Sequence, residues 1–341
     1  NVSDMQFTFD TWRINVSGSS GEVLLDFEYR FYPTFSTHFI HHGWVGYSFT
    51  PASQVQIGVT QVPFGNLKYA SHNWWFVTPY YMGLEDDYDM GLKFTHQQYH
   101  VNYALAFYAQ SEPNGPATLE YGGIQLANNT ARYSYDILPT DEQDNSERNQ
   151  VNGRVAYTLD HGETGSSEIG VSAQYGGIYN AQLEKFGSHN AVAIHLNGNY
   201  GRFNVKSEYV RFNHKAYNNQ GEMMDIIQMG AYGFGTYPVA AEVSMYVLGV
   251  AYSLLVDIGP VSNITFYDDY TYTDKTKANF FDTQQNTLGF SIAAGGVFAY
   301  FDIATGKNHP WLTDSFGTGL GQGVSGTEWN TRYNINIGYY F

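Results

Sequence analysis

The segment THFIHH (37–42) sets His38, His41 and His42 within five residues, a density of imidazole that raises the question of a metal site. Neighbours in a strand project to opposite faces, so His41 and His42 are expected apart and unable to share an ion. GLEDDYD (83–89) and PTDEQDNSE (139–147) carry enough carboxylates to hold Ca²⁺ at a rim. Neither has EF-hand spacing, and a solvated acidic cluster is the simpler reading. The chain has no cysteine, which excludes a thiolate site and a disulfide framework. No metal and no other cofactor is expected. Hydrolytic chemistry has no local signature either: there is no Gly-x-Ser-x-Gly, and no Ser/His pair stands out by spacing.

What remains is charge, and there is little of it. Charged residues make up 14% of the 341 residues, against about 25% in a soluble domain. Aromatics reach 17%, with 30 tyrosines and 23 phenylalanines. The net charge of −16 and pI of about 4.9 make nucleic acid an unsuitable partner. Mean hydropathy is −0.35, and no apolar run approaches the roughly 18–20 residues of a membrane-spanning helix. SMYVLGVAYSLLV (244–256) comes nearest. A chain that meets lipid without such runs has to alternate its faces, which predicts a transmembrane antiparallel β-barrel, all-β throughout.

The alternation is present. In EVLLDFEYRF (22–31), Val23, Leu25, Phe27, Tyr29 and Phe31 share one face, while Asp26, Glu28 and Arg30 take the other. YDMGLKFTH (88–96), VNYALAFYA (101–109) and RFNVKSEYV (202–210) repeat the pattern. The period is 2, the signature of strands. A soluble sandwich also alternates. Here, however, the strands are too long and too many, the polar face is not Lys/Glu-rich, and tyrosines gather near strand ends as interfacial girdles do.

Fifteen strand windows can be counted, at about 5–17, 21–33, 38–50, 53–64, 87–97, 99–110, 148–160, 166–179, 188–200, 202–215, 240–256, 260–274, 283–295, 297–308 and 327–341. They are joined by short turns, such as SGSSG (17–21) and DIGP (257–260), alternating with longer connections at about 65–86, 111–147, 179–188, 216–239, 275–282 and 309–327. Short inner turns and long outer loops are the asymmetry of outer-membrane barrels. Such barrels have an even number of strands. Sixteen are therefore expected, the first lying upstream of Asn1 in a processed chain; fourteen, with one window split in error, is the alternative. The whole of 1–341 reads as one barrel domain.

Several segments resemble the phosphate-selective porin O/P family: TWRINVSGSSGEVLLDFEYRF, WVGYSFTPASQVQIGVTQVPFG, GRFNVKSEYVRFNHKA and the terminal YNINIGYYF. The likeness includes a G-x-x-x-x-x-FG segment, here GVTQVPFG (58–65), and a G-x-F-x-x-x-x-EY-x-R segment at Gly201, Phe203, Glu208, Tyr209 and Arg211. The resemblance implies a trimeric, 16-stranded outer-membrane channel of a Gram-negative bacterium whose third outer loop folds inward. It also implies that the terminal strand, Tyr333, Ile335, Ile337, Tyr339 and the final Phe341, is the signal read by the barrel-assembly machinery. Lipids and lipopolysaccharide would surround it. The departure is in charge, since phosphate-specific members carry a ladder of basic residues and this chain has 16 Lys and Arg in all.

Strand parity sends Arg13, Arg30, Lys93, Arg154, Lys206 and Arg332 to the lumen, together with Asp26, Glu28, Glu168, Glu208 and Asp302. The signs nearly balance, and pairing between them is the simpler reading than a dedicated anion ladder. Neutral polar residues on the same face, Gln56, Thr60, Asn102, Asn152, Gln174, Asn197 and Asn204, suit water and small polar solutes. The connection NLKYASHNWWFVTPYYMGLEDD holds Trp74, Trp75, Phe76, Tyr80 and Tyr81. An outer loop with those rings needs a surface to bury them against: the barrel interior, or else the rim or a neighbouring subunit. Read as an inward-folded constriction loop (65–86), it offers Lys68 and His72, with Glu85, Asp86 and Asp87, as eyelet charges. The expected function is a weakly selective channel for passive diffusion of ions and small polar solutes. A substrate-specific anion channel is one alternative, and a barrel enzyme such as an outer-membrane lipase, its site assembled across strands, is another.

Overall fold

The computed structural model describes residues 7–115, 120–121, 124–125, 131–233, 235–313 and 318–340. Fifteen strands form one sheet: β1 (Trp12–Ser20), β2 (Val23–Tyr32), β3 (Thr37–Thr50), β4 (Ser53–Gln61), β5 (Tyr88–Gln98), β6 (Val101–Ser111), β7 (Asn145–Asp160), β8 (Gly165–Asn180), β9 (Lys185–Tyr200), β10 (Phe203–Lys215), β11 (Glu242–Ile258), β12 (Val261–Lys275), β13 (Thr283–Ala294), β14 (Val297–Lys307) and β15 (Asn330–Tyr339). Each pairs with its predecessor in chain order, so the topology is up-and-down and antiparallel. The sheet curls until its edges come within side-chain reach: Arg13 Nη2 on β1 donates to Tyr340 Oη, just past β15, at 2.9 Å. This is the expected all-β transmembrane barrel. The expectation of a sixteenth strand upstream of Asn1 falls outside the described residues.

Burial follows the period of 2. On β9, Val192 and Ile194 are exposed while Ala191, Ala193 and His195 are buried. On β15, Tyr333, Ile335, Ile337 and Tyr339 all face outward; Phe341 lies outside the described residues. Short turns, most of two residues, close one end of the barrel, and Gly21, Gly201, Gly259 and Gly295 supply the positive φ, near +60°, that the first position of their turns requires.

Four details depart from the sequence reading. β1 starts at Trp12, and SGSS continues the strand because the turn falls at Gly21. The connection expected at 179–188 shrinks to 181–184, with β8 and β9 running on to meet it. The connection expected at 216–239 contains a hairpin, Ile226–Gly230 with Thr236–Ala240, to which Asp136–Ile137 adds a third strand. Finally, His41 and His42 do not point apart. Glu28 pairs with His42 and Tyr29 with Ile40, leaving His41 as the extra residue of a β-bulge. The bulge resets the alternation, and the two Nδ1 atoms meet at 2.7 Å, both rings packing on Tyr88.

The outer loops pack on one another inside the rim. Tyr80, Tyr81, Met82 and Leu84 join Tyr133, Tyr135, Ile137, Ile227, Met229, Tyr237 and Leu320 in one buried cluster. Its floor is the inward face of the strands, at Phe39, Tyr108, Ile178, Phe212 and Met245.

Candidate functional site

β4 ends at Gln61 and β5 begins at Tyr88, and the chain between them turns into the barrel. Its entry is fixed by Gly65. The backbone there has φ +56°, and a Cβ would lie 2.2 Å from Glu208 Oε1 on β10, so both conformation and space demand glycine. Gly65 N donates to Ser172 Oγ on β8 at 2.9 Å, and its carbonyl accepts from Arg154 Nε on β7 at 2.9 Å. Asn66 N donates to Glu208 Oε2 at 2.7 Å. Lys206 Nζ then caps two carbonyls, Tyr69 O at 2.8 Å and Ser71 O at 2.9 Å.

Farther round the wall, Asp269 on β12 takes three bonds from the loop, each at 2.7 Å: His72 N, His72 Nδ1 and Asn73 Nδ2. His72 Nε2 faces Asn204 Oδ1 of β10 at 2.6 Å. Gln285 Nε2 on β13 donates to Phe76 O at 2.8 Å, and the Trp74 ring sits 5.8 Å from that of Tyr300 on β14. One loop is thus tied to the inner face of β7, β8, β10, β12 and β13.

The rings bury as their composition demands. Phe76 stacks on Tyr80 at 4.2 Å, and Tyr80 and Tyr81 meet Tyr135 edge-on. Tyr80 bonds the Tyr232 hydroxyl, the Tyr237 hydroxyl donates to Tyr81 O, and the Tyr81 hydroxyl donates to Trp75 O at 2.6 Å. The acidic run is placed differently from the eyelet position expected of it. Glu85, Asp86 and Asp87 are all buried. Asp86 accepts from Tyr133 Oη at 2.6 Å and Tyr88 Oη at 3.1 Å. Lys68 stays exposed on the loop.

Burial, and after it the negative charge of Glu208, pushes the Glu85 carboxyl well above its ordinary 4.5. The docked loop therefore holds a proton that a freed loop would release. Docking should be strongest below the ordinary carboxylate range and weaken as pH rises from there through the raised value. Hydrogen exchange of residues 66–84, followed from acid to neutral pH, should show protection falling, and Glu85→Gln should flatten the profile. Protection independent of pH in the parent protein would refute the assignment.

The wall charges are largely engaged. Arg30 pairs with Glu28 and lies 4.5 Å over the Tyr133 ring. Arg13 Nη1 is 3.7 Å from the same Glu28. Arg154 Nη2 bonds Glu168 at 2.6 Å, and Lys93 Nζ donates to Gln61 O at 2.9 Å. His42 Nε2 stands 3.3 Å from Asp26. Arg332 is exposed. Arg154, Lys206 and Glu208, read from sequence as pore-lining charges, are also the anchors of the loop. Sequence reasoning missed Asp269, although an acid at an inward position between the inward Tyr267 and Thr271 was a visible signal. It also missed Ser172 and Gln285, whose ordinary polarity gave none.

No protein-family model matches the sequence, and comparison with curated proteins gives no match. Solved structures do match. The outer membrane channel DcaP of Acinetobacter baumannii aligns over 97% of this chain and 84% of its own, with TM-score 0.57 and 9% identity. An anion-selective porin from Comamonas acidovorans aligns over 96% and 88%, with TM-score 0.55 and 14% identity. OmpT of Vibrio cholerae aligns over 96% and 89%, with TM-score 0.55 and 10% identity. The shared feature is the fold. It is that of outer-membrane channels and porins.

Proposed function

We propose that this protein is a porin in the outer membrane of a Gram-negative bacterium, a water-filled channel through which ions and small polar solutes diffuse passively. The observation that carries this reading is the loop 62–87, bonded to five strands from inside the barrel. We assign this loop the constriction of the lumen, with Lys68, exposed on it, at the water-facing edge. The function needs no catalysis and no cofactor. Step-like conductance in planar bilayers is expected, and a purified protein that inserts without conducting would refute the channel.

Selectivity follows from pairing. Wall cations paired with carboxylates contribute little net field, whereas an unpaired charge at a low-dielectric neck is focused. Weak selectivity is therefore expected, with Lys68 and Arg332 the groups available to favour anions. The Comamonas porin is anion-selective by description, and a substrate-specific anion channel, which the phosphate-selective porin resemblance would imply, is the second reading. Reversal potentials in a KCl gradient separate the two. Lys68→Glu should shift the potential toward cations, and a near-ideal anion potential in the parent would favour the specific channel instead.

A trimer fits the outward face. Most of that face is apolar, yet Asp268 on β12 is turned outward and bonded to Asn286 Nδ2 at 2.6 Å. We assign subunit contact to this polar spot, and lipid and lipopolysaccharide to the rest of the belt. Tyr333, Ile335, Ile337 and Tyr339, with Phe341, are proposed as the signal for the barrel-assembly machinery. Removing Phe341 should slow insertion, and unchanged outer-membrane levels would count against that role.

A further inference from the structure

Glu147 on β7, His189 on β9 and His214 on β10 lie at the outer ends of their strands, apart from the constriction loop. Each offers one ligating atom, and the three atoms lie within 4.8 Å of one another. His214 Nε2 is 3.8 Å from Glu147 Oε1, beyond hydrogen-bond range. The two imidazoles, 5.2 Å apart by centroid, are 1% and 4% exposed for His189 and His214. Neither ring nitrogen of either histidine has a hydrogen-bond partner. A neutral imidazole carries one donor and one acceptor, and each such group buried without a partner costs about 1–3 kcal/mol. Two fully orphaned histidines side by side call for something that takes up their lone pairs.

A second observation concerns the strand between. β8 separates β7 from β9, and Gly176 on β8 lies directly opposite His189. A Cβ on Gly176 would stand 2.2 Å from His189 Nε2. The imidazole occupies the space that a β8 side chain would take, which is how it reaches across one strand toward Glu147. The surroundings are rich in carboxyl groups as well. Gln150 packs 3.1 Å from the same missing Cβ and donates to Asp89 Oδ2 at 3.1 Å. Asp89, Asp87 and Asp136 bring carboxylate oxygens within 4.8 Å of one another. Arg132 is committed to Asp136 at 2.6 Å and to Asn114.

We propose that Glu147, His189 and His214 bind one divalent first-row transition-metal ion of the zinc type. Two imidazoles and a carboxylate suit such borderline ions, whereas Ca²⁺ and Mg²⁺ take oxygen ligands. A tetrahedral ion with bonds near 2.0–2.1 Å sets its ligands roughly 3.4 Å apart, so atoms no more than 4.8 Å apart need to close by at most roughly 1.4 Å. The ion would clamp β7, β9 and β10 at the outer rim.

The test uses the full chain, folded in detergent and stripped with a chelator. Calorimetric titration with Zn²⁺ should give one site per chain, insensitive to excess Ca²⁺, and Co²⁺ should give the intense visible bands of a four-coordinate site. His214→Gln and Glu147→Gln should each abolish or weaken binding by about tenfold or more. Gly176→Ala keeps all three ligands but displaces the His189 ring, and should weaken binding comparably. Heat-modifiable migration on gels checks that each variant is folded. A variant that fails this check leaves the decision to Gly176→Ala and to the Co²⁺ spectrum of the parent. Absence of a saturable site in the parent, competition by Ca²⁺, or undiminished binding in the folded variants would overturn the proposal.

Discussion

Asp269→Leu should free the loop 62–87, the proposed constriction, and raise single-channel conductance. The carboxylate accepts three bonds from His72 and Asn73, and the residue is 1% exposed. Removing one partner of a buried, charge-assisted set costs about 3–5 kcal/mol, because the donors on the loop are stranded along with the lost bonds. At about 1.4 kcal/mol per tenfold, the ratio of docked to released loop falls by about two to four orders of magnitude. The barrel itself should persist, since its ladder does not use the Asp269 side chain. Recordings in planar bilayers should show larger and noisier steps, and a protease should cut within 66–76. Asp257→Asn, exposed near the turn end of β11, is the control. Unchanged conductance together with an uncut loop would mean that Asp269 does not hold it.

The second large effect concerns the outward face. Leu248 lies near the middle of β11 with its side chain exposed, and Ile258 lies exposed at the turn end of the same strand. Arginine at position 248 should destabilise the barrel by about 2–4 kcal/mol, the cost of a cation near the bilayer midplane. Arginine at 258 should cost about 0–1 kcal/mol, because there the side chain reaches the interface. Reversible unfolding in lipid vesicles measures both. Equal costs at the two positions would remove the bilayer from the account.

Much of the barrel was legible because a membrane allows few solutions. Lipid on one side and water on the other impose a period of 2, and Val192, Ile194, Tyr333 and Ile335 carry that pattern openly. Strand ends were less legible. SGSS could be read as a turn because Ser and Gly favour turns, yet the chain reverses only at Gly21 and Glu22. The bulge at His41 leaves no mark in the sequence, since it is set by how β2 and β3 meet. Within the loop, the rings of Trp74, Tyr80 and Tyr81 announced burial without naming the surface that accepts them. The burial of Glu85, Asp86 and Asp87 could not be read, because groups from a distant connection, such as the Tyr133 hydroxyl that bonds Asp86, cover the run.

The anchors of the loop also order events in time. His72 and Asp269 are 197 positions apart, and Gln285 and Phe76 are 209 apart. Contacts between such remote positions must wait for the intervening chain to be arranged, because closing so long a loop of unfolded chain is entropically costly. β5 to β12 have to be paired side by side before Asp269 exists as a docking point. Each newly made molecule therefore passes through a stage in which much of the wall is built and the loop still waits for the strand that will hold it.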